Sequence, residues 1–562
     1  MKVKRLTRLL GAACILMSGS CLCGRSNGYT LSRLHEPFAA GHSASEINIS
    51  PDGKWVVFIE EEVSVLSPTS YRPQPLGLYS ASLTGGPLAR LDDVTIADQY
   101  ISYSDRPFST DGQSVAFTTF IRANNTLKIF KANLDGSATT LISPHDRPAS
   151  DSVDSLKLSA SGTHIVYKSH FLGDVVSVPV DGGSSKVISP TLGPGEINHH
   201  HYFSQLHDRI LFVHGSYPQG MDLYSVKPDG SDLVNLSIST AAGVDESVMV
   251  NSVNIYSSSD YVLYSSNKNL YSVPYVGGIP VQLNAPSNDY YVLDGRISPL
   301  GDRVVMHQWP TAGGEFDFVS VPIAGGTPIR LNRPLQSNQR LGFSVLFTPD
   351  NSTFIYALET HTAQGLSSAL FSVPLAGGEP VQLAASKSDF YRGMVLSPDG
   401  STLAYVVDHD ADGACDLFLL SLAGGDPVRV NDPLPDLADV SEMHFSPDGR
   451  WIAFHSIDEI DGSYSSYIAS VDTSSQMFDV GRPTSVSGSV NESNFVTLLS
   501  GGRALLQVGN AFTGRELYLL QIPEPTTLAI FITAVFLMEA THGNVSRNLY
   551  AKCRSFEGDF CH

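Results

Sequence analysis

The sequence predicts an all-β protein, a β-propeller of four-stranded antiparallel blades with about ten repeat units, forming one ring closed by an N-terminal strand. Three observations carry that reading. The stretch LYSVPYVGGIPVQL at 270–283 returns as FVSVPIAGGTPIRL at 318–331, LFSVPLAGGEPVQL at 370–383 and LFLLSLAGGDPVRV at 417–430, about every 48 residues. Between the copies a turn motif, SPDG or a variant, precedes a short β-rich run. No helical periodicity of useful length interrupts the pattern.

Each unit has four strands in a fixed order. In MHFSPDGRWIAF, 443–454, an alternating apolar stretch runs into a tight turn and then a second strand. Pro presets φ, Asp can bond the backbone that follows it, and Gly tolerates positive φ, so SPDG suits a turn between antiparallel strands. The turn recurs at 50, 109, 159, 298, 348 and 397, with degenerate copies at 203 and 256. The third strand is LYSVP or its relatives, beginning near Leu78, Ile129, Val175, Asp222, Asn269, Asp317, Leu370, Leu417, Tyr467 and Leu517. A Gly-Gly or Asp-Gly pair, suited to a two-residue hairpin, leads to the fourth strand, PVQL. Pro280, Pro328, Pro380 and Pro427 open that strand. A missing N–H there is tolerated at a sheet edge, which makes the fourth strand the outermost.

Four short strands per repeat of 40 to 50 residues, radially packed, is the propeller pattern. Solenoid rungs are shorter, and sandwiches do not repeat sequence. The ends of the array point to closure. The last unit stops after ELYLLQI at 516–522, while TLSRLHEP at 30–37 matches the fourth-strand segment TPIRLNRP at 327–334. Residues 30–37 are therefore expected to complete the C-terminal blade and remove a raw sheet edge.

SPDG, IAF-like strands and L-Y-S-V-P-x-x-G-G together resemble the WD40-like repeats of TolB and tricorn-type propellers, across residues 45 to 522. The resemblance implies the fold and a binding role. Those propellers commonly have six to eight blades, so ten units depart from the pattern.

With 35 basic and 56 acidic residues among 562, the net charge is −21, which repels nucleic acid and anionic lipid and favours cations. At the N-terminus, Lys2, Lys4, Arg5 and Arg8 precede a short apolar run, the layout of a secretory signal peptide over 1–24. Cys21 and Cys23 lack the upstream Leu of a lipobox. Cys415 alone lies in the body of the chain, which leaves the propeller, 28–522, without a disulfide framework. The tail, 523–562, opens on Pro523, Glu524 and Pro525 and continues into an apolar run. It resembles the PEP-CTERM sorting signal of bacterial envelopes, although the arginines that usually follow the run are scattered at Arg547 and Arg554. The resemblance implies export to the periplasm, cell surface or extracellular space, a sorting machinery as partner, and transient membrane contact through the tail.

Of catalytic signatures, the chain contains no G-x-S-x-G elbow, H-E-x-x-H helix, P-loop or paired-cysteine zinc pattern. Two clusters remain. His199, His200 and His201 enter a first strand near the axis, with His207 in the following turn, and could meet a transition metal or simply face solvent. DHDADGACD, 408–416, starts like a calcium loop, with Asp408, Asp410, Asp412 and Asp416 as metal candidates; Leu419 stands where an EF-hand has Glu, and the bland alternative is an acidic hairpin loop. The expectation is an exported, non-catalytic binding or scaffold propeller whose ligand is a protein or polysaccharide. The alternative is a propeller enzyme of lyase, glycosidase or lactonase type, with Glu46, Asp105 and Asp294 as candidates to line the axial mouth.

Overall fold

The computed structural model describes residues 30–522 outside a set of short stretches, of which 93–98, 238–251, 432–437 and 481–494 are the longest. Positions 410–413 and everything beyond 522 also fall outside the described residues. Among the described residues there is no helix, and the strands form ten antiparallel sheets. In chain order these are blade 1 (42–90), blade 2 (99–148), blade 3 (153–187), blade 4 (197–235), blade 5 (252–282), blade 6 (290–330), blade 7 (339–386), blade 8 (394–429), blade 9 (438–479) and blade 10 (495–521 with 30–33). Blade 2 carries one extra short strand, Arg147–Pro148, paired with its third.

Blade 10 closes the ring as expected. Thr30–Arg33 pairs antiparallel with the last strand, Gly514–Gln521, from Thr30 opposite Gln521 to Arg33 opposite Tyr518. Side chains fasten the seam. Arg33 reaches Glu516 at 2.8 Å and the Tyr518 hydroxyl at 3.0 Å, and buried His35 accepts the Leu517 N–H on Nε2 while its Nδ1 bonds the Glu36 carbonyl.

The core shows that the ring is single. Ten apolar clusters each join one blade to the next: 1 to 2 around Phe117, 2 to 3 around Tyr167, 3 to 4 around Phe212, 4 to 5 around Tyr264, 5 to 6 around Met306. The series continues 6 to 7 around Phe354, 7 to 8 around Tyr405, 8 to 9 around Phe454, 9 to 10 around Trp451, and returns from blade 10 to blade 1 around Leu505 and Phe58. Each blade therefore buries both faces. Val304 and Met306 turn to blade 5 while Val305 turns to blade 7, which is why second strands read as unbroken runs such as WVVF and RVVM rather than alternating.

The repeat motifs now have physical reasons. In SPDG, Ser50 Oγ donates to Asp52 Oδ1 at 2.6 Å and accepts the Trp55 N–H, and Gly53 sits at φ +66°. The same bonds recur at Ser109 and Asp111, Ser397 and Asp399, and Ser446 and Asp448. The Ser of LYSVP bolts blades together. Ser80 Oγ donates to Leu134 O and Ser272 Oγ to Ile323 O, and Ser320 Oγ reaches Leu375 O at 2.8 Å, each on the following blade.

The Gly-Gly pair differs from the expected two-residue hairpin. A four-residue turn closes instead, Gly325 N–H to Pro322 O at 2.9 Å, and the fourth strand shrinks to two residues, Ile329–Arg330, because Pro328 cannot donate to the ladder. Gly is required for space as well as for φ. A Cβ on Gly277, Gly325 or Gly377 would lie 2.7, 2.8 or 2.7 Å from Val234, Val281 or Ile329 of the preceding blade's fourth strand.

Up-and-down strand order sorts the connections onto two faces. Turns from first to second and third to fourth strand share one; second-to-third loops and blade-to-blade connections share the other, the loop face. Long hairpins stand on the loop face in blade 1 (Trp55–Ser67 with Ser70–Ser82) and blade 7 (Thr353–Thr362 with Gly365–Pro374).

Candidate functional site

The sequence LNRPLQSNQ, 331–339, carries the chain over the loop face from the rim of blade 6 to the axis at blade 7. Leu331 and Leu335 sink into the layer between the two blades, and Asn332 donates to the Arg333 carbonyl at 2.9 Å. With Pro334 restricting the backbone next to it, Arg333 is held in place. Its guanidinium lies over the Phe371 ring, Cζ 4.7 Å from the centroid, and donates to Pro380 O at 2.8 Å.

Blade 7 supplies the facing wall. Gln339, Thr360 and Ser367 are directly opposite one another on three neighbouring strands, so their side chains share one sheet face, and Leu341, Leu358 and Ala369 form the next row on that face. Because Leu341 and Leu358 pack with blade 6 residues, this face looks toward blade 6. Gln339 Nε2 donates to Thr360 Oγ1 at 3.3 Å and its Oε1 accepts the Gln336 N–H at 3.1 Å, which orients the amide. Between connection and wall lies a cavity of about 390 Å³ with Gln336, Gln339, Thr360 and Ser367 above and Leu358, Ala369 and Phe371 below. On blade 6, across the same layer, Tyr291 and Trp309 stack at 6.3 Å and 11°. The cleft thus offers an apolar floor and a hydrogen-bonding rim, with a cation beside them.

The residues singled out in the sequence lie elsewhere. Asp410 and Asp412 are outside the described residues, as are Pro523, Glu524 and Pro525. Asp408 directly follows the second strand of blade 8, Thr402–Val407, and its carbonyl accepts Ser388 Oγ at 2.9 Å. Asp416 opens the third strand of blade 8, buried at 4% exposure, and its Oδ1 binds Arg429 at 2.9 Å and Asn431 Nδ2 at 2.7 Å. That clasp is repeated. Asp317 takes Arg330 and Asn332 in blade 6, and Asn269 takes Gln282 and Asn284 in blade 5, while the residue at the Asn431 position accepts the next N–H of the third strand in each case. Asp416 therefore has a place in blade structure independent of any cation.

At the axis, Glu46 adopts φ +48° beside a first-strand bulge, and Glu442 does the same at φ +44° in blade 9; both are exposed. Asp105 lies outside the described residues, and Asp294 lies on the blade 6 first strand. His199, His200 and His201 lie on the first strand of blade 4, which bulges between Asn198 and His201. His207 Nε2 sits 3.0 Å from Asp260 of blade 5. Among the described residues no group of three His, Cys, Asp or Glu is arranged to hold a metal.

Sequence reasoning missed the buried histidines. Burial lowers the pKa of His35, His444 and His455, and His444 Nε2 accepts the Leu498 N–H of blade 10 at 3.3 Å. His35 and His444 are neutral acceptors in the frame of the ring, and His455 Nδ1 shares a hydrogen bond of 2.9 Å with Ser466 Oγ. The cleft was missed too, although RLNRP, with an Arg not matched by a nearby acid, was a signal available in the sequence.

Comparison with known protein families finds none that matches this chain, and comparison with curated proteins finds no relative. Among solved structures, an oligogalacturonate lyase in complex with manganese is 14% identical over 66% of this chain and 98% of its own, with a TM-score of 0.32. A TolB protein described as putative, from Agrobacterium tumefaciens, is 17% identical over 49% and 91% (TM-score 0.28), and a dipeptidyl aminopeptidase IV, likewise so described, from Bacteroides ovatus 11% over 65% and 60% (TM-score 0.40). The propeller stands on its own sheet topology, and likenesses at this level bring neither activity nor ligand to this chain.

Proposed function

We propose that this protein is an exported, non-catalytic binding propeller that takes a polysaccharide in the cleft between the 331–339 connection and blade 7. One observation carries the reading, the lining of that cleft. A pyranose ring has apolar C–H faces and an equator of hydroxyls, and the cleft sets Leu358, Ala369 and Phe371 beneath amides and hydroxyls from Gln336, Gln339, Thr360 and Ser367. Gln339 and Thr360 are held by the sheet and by each other, so little ordering of these two is needed on binding. Export rests on the leader-like residues 1–24, and retention at the envelope on Pro523, Glu524 and Pro525.

Glycan-array screening of the purified propeller followed by calorimetry tests the binding. Gln339→Ala and Thr360→Ala should each weaken it about fivefold or more, whereas Val276→Ser on the opposite face should leave it unchanged. Absence of any glycan binding, or equal binding by all variants, removes the reading. Export is tested by intact mass of the native protein, where residues 540–562 still attached to the secreted form would remove the sorting claim.

A further inference from the structure

We infer that the cleft is built for a glycan carrying an isolated carboxylate, an otherwise neutral polysaccharide with occasional uronate residues, and that Arg333 is the group that reads it. This rests on the binding reading above and adds the ligand class to it.

The argument starts from three arginines in one short segment. Arg330 is paired with Asp317, and Arg340 with Glu315 at 3.3 Å, which fits a chain in which acids outnumber bases 56 to 35. Arg333 is different. Among the described residues no carboxylate lies within ion-pair distance of it, and its side chain lines the cavity. It is nevertheless held, by one donor to Pro380 O and by the Phe371 ring beneath its Cζ. A guanidinium has five N–H donors in a fixed fork matched to a carboxylate, and a single contact to a carbonyl leaves most of them for a ligand. A cation–π contact holds the guanidinium over the ring without neutralising its charge. An arginine fixed and unneutralised beside a rim of hydroxyl-binding groups is an anion receptor next to a sugar site.

The net charge of −21 narrows the class further. A polyuronate would bring one carboxylate per sugar against an acidic molecule, and the net negative field would oppose its accumulated charge. One acid in a run of neutral sugars gains the contact and avoids the repulsion. Recognition should therefore peak at low uronate density.

The experiment uses the propeller with pairs of oligosaccharides that differ by one uronate, together with polygalacturonate, in titration calorimetry at 50 mM and 500 mM NaCl. The expected result is tighter binding of each uronate-bearing member by about tenfold or more, a preference reduced at high salt, and weaker binding of polygalacturonate. Arg333→Gln should erase the preference while leaving the neutral member bound, and Arg333→Lys should restore part of it. Melting temperatures of both variants check that the fold persists. Equal affinity for both members of every pair, a preference that survives in Arg333→Gln, or tightest binding of polygalacturonate would overturn the inference and leave the binding reading standing. Failure to bind any member of any pair removes both.

Discussion

Replacing Leu517 by Ala probes ring closure. Leu517 is fully buried between blade 10 and blade 1, against Ala44, Val56, Phe58, Ala81, Leu83 and Leu505. The change leaves its backbone bonds to His35 and Leu34 possible and removes only packing, so the expected loss is the usual about 2–5 kcal/mol for a buried Leu. With an unfolding entropy of about 2.1 cal/mol/K per residue over roughly 490 residues, or about 1 kcal/mol/K, that becomes about 2–5 °C in melting temperature. Leu263→Ala, equally buried between blades 5 and 6, is the comparison. In an open stack, damage at the last interface frays only a terminal repeat. In a closed ring the two variants should fall by the same amount, each in a single transition. Scanning calorimetry measures both. A drop of under about 1 °C for Leu517→Ala beside a full drop for Leu263→Ala, or a separate early transition, would refute closure through this layer.

Three further outcomes follow from the frame. His35 is buried and neutral in the folded ring, with its pKa lowered first by burial, while Glu516, Glu60 and Arg33 act on it electrostatically. The unfolded chain takes up this proton near pH 6.5 and the folded one resists, so stability should fall as pH drops from 7 to 5; His35→Gln should make denaturant midpoints depend less steeply on pH, with His444 and His455 supplying the remaining slope. Ser320→Ala strips the bolt from Leu375 O and a partner at 2.8 Å from Arg303 Nε, and should cost about 1–3 kcal/mol in urea titrations. Gly377→Ala should destabilise more than Gly424→Ala, since both glycines have positive φ but only the first would press a Cβ against Ile329; a shortened Ile329→Ala background should narrow the gap in melting temperature.

The fold was legible because each blade writes its own turns. SPDG and Gly-Gly are local chemistry, and the strands they join pack in the same way ten times over. Closure was legible from TLSRLHEP for the same reason, as a copy out of place. The cleft was not, because it is assembled from a connection after blade 6 and the far ends of three strands of blade 7, and nothing local records that Gln339, Thr360 and Ser367 share a row. Asp416 shows the opposite error of scale. Read within nine residues it belongs to an acidic loop; read at spacings of thirteen and fifteen, as in Asp317 with Arg330 and Asn332, it is one of a series of clasps. The period of the repeat, not the local motif, was the informative ruler for that residue.

The pairing of Thr30–Arg33 with Gly514–Gln521 also sets a schedule. Nine sheets draw their strands from contiguous stretches and can form as the chain emerges, but the tenth needs both an early strand and the last one. Until residue 521 is available, the apolar face of Ala44, Val56 and Phe58 has no neighbour to cover it. An unfinished chain therefore carries a sticky flank at each end of its growing arc, and both flanks stay open to wrong partners until the last strand arrives. Arrival of the last strand and disappearance of the two adhesive surfaces are a single event.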